Sequence, residues 1–294
     1  MIPTPAPGTL DHEYNTRLWA RDFEQTLDAH RRWGEAARAL PGARLNLRWG
    51  HRPRQTLDLF LPTQASGPLF VFIHGGYWQY RSSGKDSVSF LAPDVLGQQV
   101  AYAAVQYELC PDLTMDEMVA QLRQALLWIV ETCPGLAYQP TRITVGGHSA
   151  GGHLAAMLAL TDWEHHGARA DLIAGACCIS GLYELEPLVS TYVNTALRMD
   201  EAMARRVSPT ELVRPGRLAF VLAAGERESG QFKRQTQSFA ARLEAAGHQV
   251  ESLIMPGRDH YDVIRELVDA QSPLRRAATR LMLGHSEAMW RKDP

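Results

Sequence analysis

Residues 142–159 read RITVGGHSAGGHLAAMLA, a β-branched run that meets a small-residue helical stretch across Gly147-His148-Ser149-Ala150-Gly151. A strand that becomes a helix within so few residues must turn sharply, and the residue at the apex is forced into a backbone conformation that side chains resist. Glycines two positions either side of Ser149 let neighbouring backbone approach without Cβ clashes. The pattern is G-x-S-x-G in the strand–turn–helix context that gives it chemical meaning. It projects one hydroxyl from a strand end at a helix N-terminus, where free amides favour developing negative charge, and it places the Ala150 N–H to receive an oxyanion.

Around this unit, strand-like and helix-like segments alternate. RLNLRWG and QTLDLFLP alternate in polarity like half-exposed strands, and PLFVFIHGG is a continuous apolar run expected of a strand buried on both faces. VAYAAVQYELC, RITVGGHS, LIAGACCISG, LAFVLAAGE and HQVESLIMPG follow as strands. DEMVAQLRQALLWIVETC, AGGHLAAMLAL and QFKRQTQSFAARLEAAG separate them as helices, and a last helix is expected from about Tyr261. Such an order predicts a mostly parallel sheet with helices on both faces. Residues 1–43 read as an N-terminal packing arm, with a helix at RDFEQTLDAHRRWGEAARAL, and 44–294 as the catalytic domain. Residues 182–215 break the alternation and are expected to form a small helical cap over the pocket.

The chain has 294 residues, 45% of them hydrophobic, enough for one large core. Its formal net charge of −2 and lack of a basic block point away from nucleic acid and anionic membranes, towards a small-molecule partner. Cys110, Cys133, Cys177 and Cys178 form no CxxC pair and fit a reduced, cytoplasmic protein. No leader or membrane-spanning segment is legible. The histidines lack metal-ligand spacing, so no metal or cofactor is expected. The sequence fixes no oligomeric state and leaves a homodimer open.

A nucleophilic serine needs oxyanion donors, a base and an acid. HGGYW at 74–78 follows a buried strand, where an HGGG-type loop would aim N–H groups at the oxyanion; Gly75, Gly76 and Tyr77 are the candidates. His74 is expected to brace that loop, and Trp78 to offer an aromatic wall to substrate. In this chain order the acid precedes the histidine. His260, in PGRDHYDVI after the last strand, is the candidate base; His165, His166 and His285 are poorly placed, and His148 and His153 read as supporting residues. GERESGQF offers Glu226 and Glu228 as the acid, and Glu228 is preferred because it stands three residues past Gly225. Asp259 and Asp262 read as loop carboxylates. Within the cap, Leu182, Tyr183 and Tyr192 are expected to line the substrate pocket.

Taken together, HGGYWQ, GGHSAGGHLA, ISGLYELEPL with TYVN, ESGQFKRQ and DHYDVI resemble the kynurenine formamidase (arylformamidase) type of α/β-hydrolase, over roughly residues 44–270; EYN and LDLFLP are similar as well. The resemblance implies an α/β-hydrolase fold and cofactor-free hydrolysis of N-formyl or N-acyl aryl amides through an acyl-enzyme. The alternatives are a carboxylesterase acting on aryl or short-chain esters and a non-catalytic ligand-binding scaffold. The chain departs from the family in carrying Glu228 where the best-known members have aspartate. It also has tyrosine after His260 where phenylalanine is frequent.

Overall fold

The computed structural model describes residues 5–284. Eight strands form one sheet: β1 (Arg44–Arg48), β2 (Thr56–Phe60), β3 (Ser66–Ile73), β4 (Ala101–Val105), β5 (Gln139–His148), β6 (Gly175–Ile179), β7 (Ala219–Gly225) and β8 (Gln249–Met255), in the order β1-β2-β4-β3-β5-β6-β7-β8. The pairs β1–β2 and β2–β4 are antiparallel and every other pair is parallel. The expected mostly parallel sheet is what the chain forms.

The apolar run of β3 is explained by a core on each side of the sheet. Leu69, Val71 and Ile73 join one buried cluster while Phe70 and Phe72 join the other, the two-residue alternation of a strand with no solvent face. Helices Met115–Thr132, Ala150–Ala159 and Gly230–Ala245 close the first cluster, and Ala92–Gly97 and Pro273–Leu283 pack on the second. The parallel strands all deliver their C-terminal ends to one edge of the sheet, so loops far apart in sequence meet there.

The last helix begins at Pro273, not near Tyr261 as its sequence periodicity suggests. Residues 259–262 are held in a turn instead, because Asp259 Oδ1 accepts from the N–H groups of Tyr261 (2.8 Å) and Asp262 (3.1 Å). A short 3₁₀ turn follows at Val263–Leu267, and Ser272 then caps the helix through the Leu274 N–H, with Pro273 pre-set in the first turn.

One buried carboxylate links the arm to the sheet. Asp58 on β2, fully buried, accepts from Arg38 Nε (2.8 Å), from the Asn46 N–H (2.8 Å) and from Lys85 Nζ (2.7 Å), and Lys85 is itself buried. Removing one member of such a cluster strands the other charge away from water. Asp58→Ala is expected to lower unfolding stability by about 3 kcal/mol, the low end of that range because Arg38 keeps partial solvent access. The readout is the urea midpoint at constant m-value; a change below about 1 kcal/mol would show that the cluster does not hold these segments together.

Candidate active site

Ser149 stands between β5 and the helix Ala150–Ala159 with φ +57° and ψ −122°, a conformation that only the surrounding packing can impose. That packing needs both flanking glycines. A Cβ on Gly147 would sit 2.2 Å from the Gly151 carbonyl oxygen, and one on Gly151 would sit 2.0 Å from the Ile73 carbonyl oxygen. The Ser149 N–H is meanwhile tied to the Ile179 carbonyl at 2.8 Å, fixing the turn to β6.

The hydroxyl exposed by this turn meets an imidazole. Ser149 Oγ lies 3.0 Å from His260 Nε2, and His260 Nδ1 lies 2.7 Å from Glu228 Oε2. Each of the three residues is at most 4% exposed, so water competes weakly for these bonds. Of the two acids offered after β7, Glu228 turns inward; Glu226 instead accepts from the Gly257 N–H at the surface. The second Glu228 oxygen, Oε1, accepts from the Gly225 N–H and from Ser180 Oγ, both at 2.6 Å. Ser180 lies within ISGLYELEPL, directly after β6, but the sequence assigns it no role.

The HGGYW loop lies against the serine. A Cβ on Gly75 would come within 3.1 Å of Ser149 Cβ. Among the described residues, the backbone N–H groups of Gly75, Gly76, Tyr77 and Ala150 find no hydrogen-bond acceptor. His74 braces the loop as expected, through Nδ1 to the Gly75 carbonyl (2.7 Å) and a stack on Tyr107 at 4.4 Å.

Three further imidazoles surround the centre and are held neutral. Burial pulls His74 down to about 3 and His153 to about 4, and burial together with the neighbouring His260 takes His148 well below its ordinary value. A neutral His148 can donate from Nε2 to the His260 carbonyl (2.6 Å), which steadies the loop bearing the base without adding a charge. His285 lies outside the described residues.

Several expected substrate contacts are corrected. Trp78 is fully buried and donates from Nε1 to His153 Nδ1 (3.1 Å), while His153 Nε2 donates to the Val207 carbonyl (2.7 Å). It therefore pins the glycine loop to the helix behind Ser149 and does not face substrate. Leu182 and Tyr183 are also fully buried, Tyr183 stacked on Phe239 at 4.2 Å, so both belong to the core. Tyr192 anchors the arm, its N–H donating to Asp11 Oδ1 (2.8 Å) and its hydroxyl to the Tyr14 carbonyl (3.3 Å), and it does not line the cleft.

The cleft onto which Ser149 opens takes none of its lining from residues 182–215. Arg17, Phe23, Leu27 and His30 of the arm line it, opposite Tyr77, Tyr80 and Tyr261. The arm is thus a working wall, and it is fastened to the glycine loop, to the loop bearing His260 and to the helix Gly230–Ala245. The Tyr77 hydroxyl donates to the Tyr14 carbonyl, the Arg21 N–H donates to Asp259 Oδ2 (3.0 Å), and Gln235 Nε2 donates to the Tyr14 hydroxyl (3.0 Å). The hydroxyls of Thr16 and Tyr261 share a bond of 2.8 Å.

The sequence and the fold are similar to those of known proteins. The BD-FAE family model matches residues 57–243. The kynurenine formamidase of Salmo salar is 33% identical over 287 residues, covering 93% of this chain and 95% of its own. A crystal structure described as a thioesterase from Silicibacter sp. TM1040 superposes with a TM-score of 0.79 at 31% identity, covering 94% of this chain and 99% of that one. The carboxylesterase EstE1, from a metagenomic library, shares the fold with a TM-score of 0.71 at 19% identity, covering 90% and 96%.

Proposed function

Because the chain belongs to the kynurenine formamidase family of α/β-hydrolases and carries the BD-FAE domain, we propose that it is a serine hydrolase of N-formyl aryl amides, with N-formylkynurenine as the reference substrate. The observation that carries this reading is the buried line from Ser149 Oγ through His260 to Glu228, at 3.0 and 2.7 Å, beside four backbone amides without acceptors among the described residues. In this reading His260 takes the Ser149 proton as Oγ attacks the acyl carbon, and Glu228 holds Nδ1–H so that Nε2 is the free base. The amides of Gly75, Gly76, Tyr77 and Ala150 form the oxyanion hole, of which Gly76, Tyr77 and Ala150 hold the tetrahedral oxyanion.

Collapse of that intermediate breaks the C–N bond, and His260 returns its proton to the departing nitrogen. An arylamine leaves more readily than an alkylamine, because the ring shares the nitrogen lone pair. Water, deprotonated by His260, then attacks the acyl-enzyme and releases the acid, formate for a formyl group. The same machinery cleaves activated esters, whose leaving group needs less help from the acid. Four buried, unpaired cysteines support a cytoplasmic setting, and no helix among the described residues is long and apolar enough to cross a membrane.

The test is kcat/KM for N-formylkynurenine, an N-acetyl arylamine and a 4-nitrophenyl ester, alongside labelling by a fluorophosphonate. The expected result is a preference for the formamide of at least tenfold over the acetyl amide, with the label on Ser149. Fast ester cleavage with little formamide turnover would make the protein a carboxylesterase of the same mechanism. A Ser149 that resists the probe would favour a ligand-binding scaffold.

A further inference from the structure

Among the described residues, the wall of the cleft carries a single formal charge. Aromatic rings, serines and glycines make up most of the lining, and no aspartate, glutamate or lysine of the described residues contributes to it. Its two imidazoles are neutral, since burial and the nearby Arg265 charge take His30 down to about 3, and His148 lies well below its ordinary value for the reasons given above. Arg17 is what remains. Its guanidinium carbon sits 4.9 Å over the Phe23 ring centroid, and no carboxylate of a described residue comes within salt-bridge distance.

The position of Arg17 is built. The 3₁₀ turn Thr16–Trp19 is held by the Leu18 N–H bond to the Asn15 carbonyl (3.0 Å) and by the bond between the Thr16 and Tyr261 hydroxyls (2.8 Å), so the backbone presenting Arg17 is fixed on the same loop as His260. Burial pushes the Tyr261 phenol up, while the Thr16 bond and the charge of Arg17, which lines the same cleft, pull it back. A planar guanidinium without a carboxylate partner, at the rim of an otherwise neutral aromatic cleft, is organised for a planar anion.

We propose that Arg17 receives a carboxylate carried on the aryl part of the substrate, so that the site selects anionic aryl amides or esters over their neutral analogues. The inference rests on the aryl-acyl reading above. The rings of Phe23 and Tyr261 take the aryl group, Ser149 takes the acyl carbon, and the charge on Arg17 fixes which end of the molecule faces outward.

Two matched pairs test it: N-formylkynurenine with its carboxamide, and 3-acetoxybenzoate with 3-acetoxybenzamide, each assayed with wild type, Arg17→Gln and Arg17→Lys. In wild type the carboxylate-bearing member is expected to have the higher kcat/KM in a pair the enzyme turns over. Arg17→Gln should lower the carboxylate-to-neutral ratio by about tenfold, mainly through KM, because a charged hydrogen bond at an exposed site is partly screened. Arg17→Lys should restore part of that ratio and steepen its dependence on salt. A ratio unchanged by Arg17→Gln in every pair that turns over would overturn the proposal and leave Arg17 a packing residue on Phe23. Charge selection in the ester pair with no formamide turnover would uphold Arg17 and reject the formamidase reading; formamide turnover without charge selection would do the reverse.

Discussion

Ser149→Gly is expected to abolish turnover while making the protein more stable than Ser149→Ala. Both changes remove the nucleophile, and kcat for a 4-nitrophenyl ester should fall on the order of 10⁶-fold in each. The difference lies in the backbone. At φ +57° and ψ −122° a residue with a Cβ stores about 1–3 kcal/mol of strain, which glycine does not. Glycine gives back about 0.5–1 kcal/mol through the greater freedom of the unfolded chain. The glycine variant should therefore exceed the alanine variant by about 1 kcal/mol in urea unfolding. Equal stabilities would mean that the turn is not strained, and appreciable turnover in either variant would remove Ser149 from the nucleophile's role.

The same turn explains why the centre was legible in the sequence. The Ser149 turn is mostly local: Gly147 is demanded by its close approach to Gly151 within the strand–turn–helix unit, while Gly151 also meets the Ile73 carbonyl of the neighbouring strand β3. His260 and Glu228 follow from chain order, because parallel strands must bring their C-terminal loops to one edge in a fixed sequence. The role of Ser180 was not legible, since ISGLYELEPL carries a resemblance without giving its serine a task, and that task depends on Glu228 Oε1 facing it at 2.6 Å.

The wall of the cleft was illegible for a related reason. Nothing in the spacing of residues 10–30 tells that Tyr14 meets Gln235 or that Thr16 meets Tyr261, contacts that span more than two hundred residues of chain. The arm reads as a peripheral helix because its chemistry is supplied by partners the local pattern cannot name. Conversely, the aromatic residues beside motifs, Trp78 and Tyr183, read as substrate contacts because composition does not say which way a loop side chain points. A hydrogen bond from Trp78 to His153 and a stack of Tyr183 on Phe239 turn both inward.

Glu228→Gln is expected to lower kcat by about 10⁴ while leaving the fold in place. The carboxylate accepts on both oxygens: His260 Nδ1 on Oε2 at 2.7 Å, and the Gly225 N–H with Ser180 Oγ on Oε1 at 2.6 Å each. An amide has one acceptor and one donor end, so one side must face a donor with a donor. The Gly225 N–H is part of the backbone and cannot reverse, whereas an imidazole can move its proton from one nitrogen to the other. The glutamine oxygen therefore settles towards Gly225, its NH₂ faces His260 Nδ1, and the proton moves to Nε2, where it points at Ser149 and blocks deprotonation. Nitrogen NMR of the His260 ring should show that exchange of tautomer in parallel with the loss of kcat. Because glutamine preserves the packing, unfolding stability should fall far less than activity. A loss in kcat below tenfold, with the tautomer unchanged, would show that Glu228 holds Gly225 and Ser180 in place without directing the base.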